Sequence, residues 1–113
     1  MHEMSLADSV LQIIEDTART QDFTRVRRMT LEIGRLAAVE PEAMRFAFDA
    51  VMRGTLADGA SLEIIEIPGQ GQCAGCGATM EMEEAYGLCP QCDGAQLRVV
   101  SGDRMRVKYL EVE

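Results

Sequence analysis

The chain has 113 residues, 47% of them hydrophobic and 27% charged, with a formal net charge of −8. That length suits one ordinary domain, or a small domain carrying a metal-stapled subdomain. No stretch approaches the ~18–20 apolar residues of a membrane span. The acidic balance argues against a nucleic-acid partner, which requires a basic face to neutralise phosphates. Nothing at the N-terminus reads as a secretory signal, because Asp8, Glu15 and Asp16 interrupt any apolar run. A cytoplasmic setting that keeps thiols reduced is the expectation.

Met1-His2-Glu3 comes first, and His2 is the sole histidine. A terminal histidine is commonly no more than solvated. Its neighbours give it a second reading. A bulky residue at position 2 should hinder removal of the initiator methionine and leave the α-amine on Met1. An α-amine, an amide nitrogen and an imidazole in succession form a compact chelate, suited to square-planar Ni²⁺ or Cu²⁺. Glu3 adds a further amide nitrogen and a carboxylate. Such binding needs a neutral imidazole, so affinity should weaken as pH falls through the ~6.5 of an ordinary histidine.

Ser5 reads as a helix N-cap, with Asp8 three positions on. Ala7, Val10, Leu11, Ile14 and Ala18 then recur at helical spacing, which predicts a helix over about 5–20. In 24–34, Met29, Leu31 and Ile33 alternate with Arg28, Thr30 and Glu32, the period of a half-buried strand. Its start carries a basic cluster, Arg25, Arg27 and Arg28, read as a solvated face or a contact for an acidic partner. Glu40-Pro41-Glu42 opens a second helix, with Pro41 in the favoured first position. Met44, Ala47, Phe48 and Val51 supply its apolar face, and Gly54 closes it. A second strand covers 62–67, and a third covers 104–110 with Met105, Val107 and Tyr109 on one face. Pro68-Gly69-Gln70-Gly71 has the composition of a hinge.

Between the last two strands lie Cys73-Ala-Gly-Cys76 and Cys89-Pro-Gln-Cys92, a C-x₂-C-x₁₂-C-x₂-C pattern that uses all four cysteines. Each C-x₂-C turn delivers two thiolates to one side of a tetrahedral ion, which points to a structural Zn²⁺. Gly75, Gly77 and Gly94 stand where such turns need positive φ. Rubredoxin-like iron satisfies the same four ligands. Two disulfides fit poorly in a reducing compartment. No Lys or Arg occurs between Cys73 and Cys92, whereas Glu81, Glu83 and Glu84 do. Met80 and Met82, two of eight methionines, read as adaptable packing.

The expected fold is α+β: two helices packed on a three-stranded mixed sheet, with an inserted zinc-ribbon module. The expected division is a discontinuous nickel-binding α/β domain (1–67 plus 103–113) and a zinc-binding ribbon (68–102). An insert of about 35 residues is too small to fold on its own core, so its metal must supply much of its stability.

The M-H-E start, the α-β-α-β order and the paired cysteines together resemble the HypA/HybF family of nickel metallochaperones for [NiFe]-hydrogenase maturation. The resemblance extends over the whole chain, including Leu31-Glu32-Ile33-Gly34, Gly59-Ala60 and Ile67-Pro68. It implies that nickel is held near His2, with Glu3 as neighbouring contributor, and that Cys73, Cys76, Cys89 and Cys92 hold zinc. Glu40 falls in a region where some relatives place an acidic residue near the nickel. The implied partners are a HypB-type GTPase and the hydrogenase large subunit precursor, and some members also serve urease. A monomer and a homodimer are both compatible with the chain. Two departures stand out. No histidine flanks the cysteine pairs, so no swap of zinc ligands is expected. Asp93 stands where glycine often follows the last cysteine, and Gly94 is placed to compensate.

No G-x-x-x-x-G-K-[ST] loop is present, so the chain should not hydrolyse GTP, and no nucleophile set is credible. The expectation is therefore a carrier and not an enzyme. Its rivals are a zinc-ribbon interaction module without transferable metal and a rubredoxin-like redox protein.

Overall fold

The structure, a computed structural model, describes residues 2–84, 86–92 and 94–113. The expectations for the Met1 α-amine and for Asp93 therefore lie outside the described residues. Among the described residues, two helices and two three-stranded sheets make up the fold. It is the α+β arrangement that the sequence predicts, with a cysteine ribbon inserted before the last strand. The chain divides into two compact units. One is Met1–Leu31, Val39–Ile65 and Val107–Glu113; the other is Glu32–Ala38 and Glu66–Arg106.

In the first unit, α1 (His2–Gln21) packs against α2 (Pro41–Met52). Helix α1 buries Ala7, Val10 and Ile14, one stripe at helical spacing. Helix α2 buries Met44, Ala47, Phe48 and Met52. Met52 thus fills the place that the sequence assigned to Val51, which is half-buried. Val26, Met29 and Leu31 of β1 (Val26–Gly34) complete this core. Each large apolar side chain so enclosed contributes about 1.5–3 kcal/mol.

Helix α1 starts at His2, three residues before the N-cap expected at Ser5. The reason is a tertiary contact. The Glu40 amide donates to the Glu3 carboxylate at 3.2 Å, which holds the first turn in place ahead of any local cap. The α2 start follows its sequence signal. Glu40 is the N-cap, its carboxylate accepts from the Ala43 amide at 2.7 Å, and Pro41 opens the helix.

Strands β2 (Ser61–Ile67), β1 and β6 (Met105–Val112) form one sheet in the order β2-β1-β6. Alternation in β1 is broken at Thr30, which is buried and donates to the Glu63 carboxylate at 3.2 Å. That bond satisfies a hydroxyl that would otherwise cost about 1–3 kcal/mol to bury. The basic cluster at the start of β1 is exposed. Arg25 donates to the Asp58 carbonyl at 2.9 Å and Arg27 stands 3.8 Å from Glu113.

The second unit corrects the reading of Pro68-Gly69-Gln70-Gly71 as a hinge. Those residues lead into β3 (Gly69–Cys73), the central strand of a second sheet in the order β4-β3-β5. β4 is Thr79–Met82 and β5 is Leu97–Ser101, and both pair antiparallel with β3. The glycines are there for space, not for motion. A Cβ on Gly69 would lie 2.5 Å from Leu36 Cγ and 2.7 Å from the Met82 carbonyl oxygen. Glycine in a strand interior often marks such close approach. Arg35 closes this unit with a two-pronged contact to Glu83, at 3.1 and 3.3 Å.

Candidate metal centre

The second unit's core consists of Cys73, Met82, Cys89 and Leu97, with Leu36, Met80, Cys92, Ala95 and Val99 packed around it. Two of its four buried residues are cysteines, so the core is largely the site itself. Cys73 ends β3, Cys76 lies in the turn beyond it, and Cys89 and Cys92 come from the segment before β5. The four Sγ atoms lie within 4.8 Å of one another. Cys73 and Cys92 sulfurs are 3.5 Å apart and Cys76 and Cys89 sulfurs 3.8 Å. Four thiolates bound at ~2.3 Å to a tetrahedral ion would stand ~3.8 Å apart. The sulfur set fits that cage.

The turns aim backbone donors at sulfur. The Gly75 and Cys76 amides donate to Cys73 Sγ at 3.2 and 3.3 Å, and the Gln91 amide to Cys89 Sγ at 3.4 Å. Positive φ occurs at Gly77 (77°) and Gly94 (80°), as the turns require. Gly75 has no positive φ; there the demand is for room, since a Cβ would come within 3.0 Å of Ala95 Cβ.

These contacts split the thiols. The Cys76 amide, against the cost of burial and with help from the Gly75 amide and the Cys92 and Cys76 thiols, brings Cys73 down to about 6. At Cys76 the Ala78 amide pulls down, but its hydrogen bond to Cys73, burial, and the Cys89 thiol push it up to about 11. Cys92 is also raised: the Ala95 amide is outweighed by Cys73, burial and Cys89. One thiolate forms readily and then opposes the next. A cation among the sulfurs would offset that opposition, and a metal ion is the group whose charge and ligand preference fit.

The nitrogen-bearing segment lies in the other unit. His2 is exposed at the first position of α1. Glu3 is half-buried, and its carboxylate is held below its ordinary value. The Glu40 amide is the main cause, with its own amide and the His2 imidazole adding to the effect. Glu40 is exposed, with one carboxylate oxygen on the Ala43 amide. The structure thus brings Glu3 and Glu40 into contact from opposite ends of a 37-residue separation. Nothing in the sequence pattern announces that contact. No helix among the described residues is long and apolar enough to cross a membrane.

Residues 1–112 match the profile of a family described as "Hydrogenase/urease nickel incorporation, metallochaperone, hypA". The hydrogenase maturation factor HypA of Azotobacter vinelandii is 55% identical over 113 residues, covering the whole of both chains. That of Albidiferax ferrireducens is 58% identical, again over the full length of both. The solution structure of the Ni metallochaperone HypA from Helicobacter pylori superposes with a TM-score of 0.73 at 23% identity, covering 97% of this chain and 96% of that one. A second HypA solution structure gives 0.75 at 23% identity, covering 100% and 97%; at this identity both likenesses speak for the fold. A four-sulfur cage in a chain that matches one family profile from end to end leads to a single assignment: this chain belongs to the HypA family of nickel-incorporation metallochaperones.

Proposed function

We propose that the chain is a nickel carrier that takes Ni²⁺ at its N-terminus and delivers it to the hydrogenase large subunit precursor, with a structural Zn²⁺ held by Cys73, Cys76, Cys89 and Cys92. The contact between Glu3 and the Glu40 amide carries the nickel half of this reading. It ties the first turn of α1 to the start of α2, with half-buried Glu3 against Glu40 and exposed His2 next to it in the chain. His2 supplies imidazole and amide nitrogen, Glu3 an amide nitrogen, and the Met1 amine completes a nitrogen-rich set. One Glu3 oxygen is occupied by the Glu40 amide, which gives Glu3 a positioning role in addition to any bond to nickel. Glu40 offers the carboxylate oxygen that does not cap α2.

Zinc is favoured over iron by the chemistry of a carrier: the ion in the cage must stay closed-shell, four-coordinate and inert while a second metal moves. The chain itself then catalyses nothing, and a HypB-type GTPase supplies the nucleotide step. Urease is a second recipient consistent with the family's description. A cytoplasmic setting, where the thiols stay reduced until zinc binds, suits both metals. On this reading residues 1–67 and 103–113 serve nickel and residues 68–102 serve zinc.

Calorimetric titration of the zinc-loaded protein with Ni²⁺, repeated on protein extended before Met1, tests this proposal. The expected result is one Ni²⁺ site that Zn²⁺ does not occupy and that weakens when the free α-amine is lost. A titration with no second site would leave a zinc-ribbon scaffold and sink the carrier reading.

A further inference from the structure

The second unit has an edge that the described residues leave uncovered. Leu88 pairs with Gln96 in an isolated antiparallel bridge next to β5. The Cys89 amide donates to the Ala95 carbonyl at 2.8 Å, and the Leu97 amide to the Gly87 carbonyl at 3.0 Å. Those two bonds flank Leu88, so its own N–H and C=O turn away from Gln96. On its far side Gln96 is covered, because its carbonyl accepts from the Ala74 amide at 3.3 Å. Among the described residues, neither backbone group of Leu88 has a partner. The β4-β3-β5 sheet, extended by this bridge, therefore ends in an open edge at Leu88.

The side chains at that edge are apolar and exposed. Tyr86 is 74% exposed and Leu88 67%, and they stand two residues apart. With Met80, Met82, Pro90 and Leu97 they line a shallow hollow of ≈ 330 Å³. Glu81, Glu83 and Glu84 rim it. Glu83 is engaged by Arg35, while Glu81 and Glu84 have no cation partner among the described residues. No Lys or Arg occurs anywhere from Cys73 to Cys92. An uncovered edge is normally blunted with charge, often lysine, or with proline. Here exposed Pro90 bounds the edge on one side of Leu88, Arg35 is spent on Glu83 and Arg98 on Gln72, and the charges left without a partner at the hollow are Glu81 and Glu84.

We infer that the Tyr86–Leu88 edge is a docking site for an extended, basic segment of a partner protein, which adds to it as a further strand. The Leu88 N–H and C=O would pair with the segment's main chain. Tyr86 and Leu88 would take apolar side chains at alternate positions. Glu81 and Glu84 would attract lysine or arginine side chains of the segment, whose long flexible stems can reach the edge from either face, and would repel nucleic acid and acidic chains. This site is separate from the nickel ligands and stands whether or not nickel binds at His2.

The zinc-loaded full-length protein, labelled with ¹⁵N, is titrated with a blocked hexapeptide of alternating lysine and valine. Three comparisons accompany it: the same peptide N-methylated at alternate amides, an alternating glutamate–valine peptide, and the Glu81→Lys/Glu84→Lys protein. The expected result is saturable shifts of the Leu88 amide and its neighbours. N-methylation, which removes main-chain donors from the peptide, should weaken binding about tenfold. Charge reversal on the protein should cost about tenfold or more, and the acidic peptide should not bind. Equal binding of the N-methylated peptide would show mere charge adhesion and overturn the inference. So would shifts that never saturate, or shifts centred away from Leu88. The same shifts on raising protein concentration without peptide would make a second copy the occupant and overturn it equally. Because N-methylation alters only the peptide, the test holds even if the charge-reversed protein fails to fold.

Discussion

The chain's two candidate metal-binding regions are built on opposite plans. At the cysteine cluster, Cys73 and Cys89 are each 3% exposed, amides point at sulfur, and the candidate ligands double as the local core. At the N-terminus, His2 is exposed on the first turn of a helix, and a single carboxylate–amide contact fixes that turn. On the proposed reading the first plan would make a bound ion part of the fold, so that losing it would mean unfolding. The second ties only the frame and would leave nickel's ligands free to exchange. A protein that must keep one ion while handing over another needs both, and it needs them on different chemistry: sulfur for retention, exposed nitrogen for release.

The sharpest way to break this contrast is to remove the cage. Cys89→Ser, or extraction of the metal by a strong chelator, should abolish tight zinc binding and melt the second unit. The structural-zinc contribution at stake is about 10–16 kcal/mol of apparent binding energy. Hydrogen exchange should then show loss of protection over β3, β4 and β5 while α1 and α2 remain protected. Protection that survives in the ribbon would mean that its small apolar core suffices. A smaller effect is expected for Gly69→Ala, which forces a methyl into Leu36 and the Met82 carbonyl. The overpacking should cost about 1–3 kcal/mol in denaturant unfolding. A neutral result would restore the reading of that stretch as a loose connector.

At the other region the effects are milder. Glu40→Ala removes the acceptor for the Ala43 amide and should cost about 1 kcal/mol, read as a lower midpoint for the first unit. The Glu3 contact should respond to acid with a defined sign. Its carboxylate is held below the ordinary 4.5, so the contact stabilises the fold above that value. It is lost as pH falls through the lowered Glu3 value. The Glu40 amide proton should therefore titrate with a midpoint below 4.5, and a midpoint at or above it would mean that the bond to Glu3 is not made in solution.

Local patterns in the sequence were enough for the cysteine cage, because C-x₂-C turns encode their own geometry. They were also enough for both helices and for β1, β2 and β6, whose periodicity follows from burying one face. Long-range contacts had no such mark. The start of α1 depends on Glu40, 37 residues away, whereas the local pattern points to a cap at Ser5. Gly69 and Gly71 look like a hinge in composition, yet sit buried in a central strand because other chain segments press on them. β4 does carry a local signal, since Thr79-Met80-Glu81-Met82 alternates with the period of a strand. The open edge at Leu88 required knowing which amides were already paired, which only the fold supplies.

On the proposed reading, nitrogen at the N-terminus borrows one ion while sulfur keeps another. It is tested most directly by titrating zinc-loaded His2→Ala with Ni²⁺ and measuring bound zinc in the same sample. The account predicts unchanged zinc and fold, with nickel affinity reduced by more than the ~10–100-fold that loss of an outer-sphere partner costs. Nickel bound at full strength by His2→Ala, or zinc lost along with it, would contradict the account.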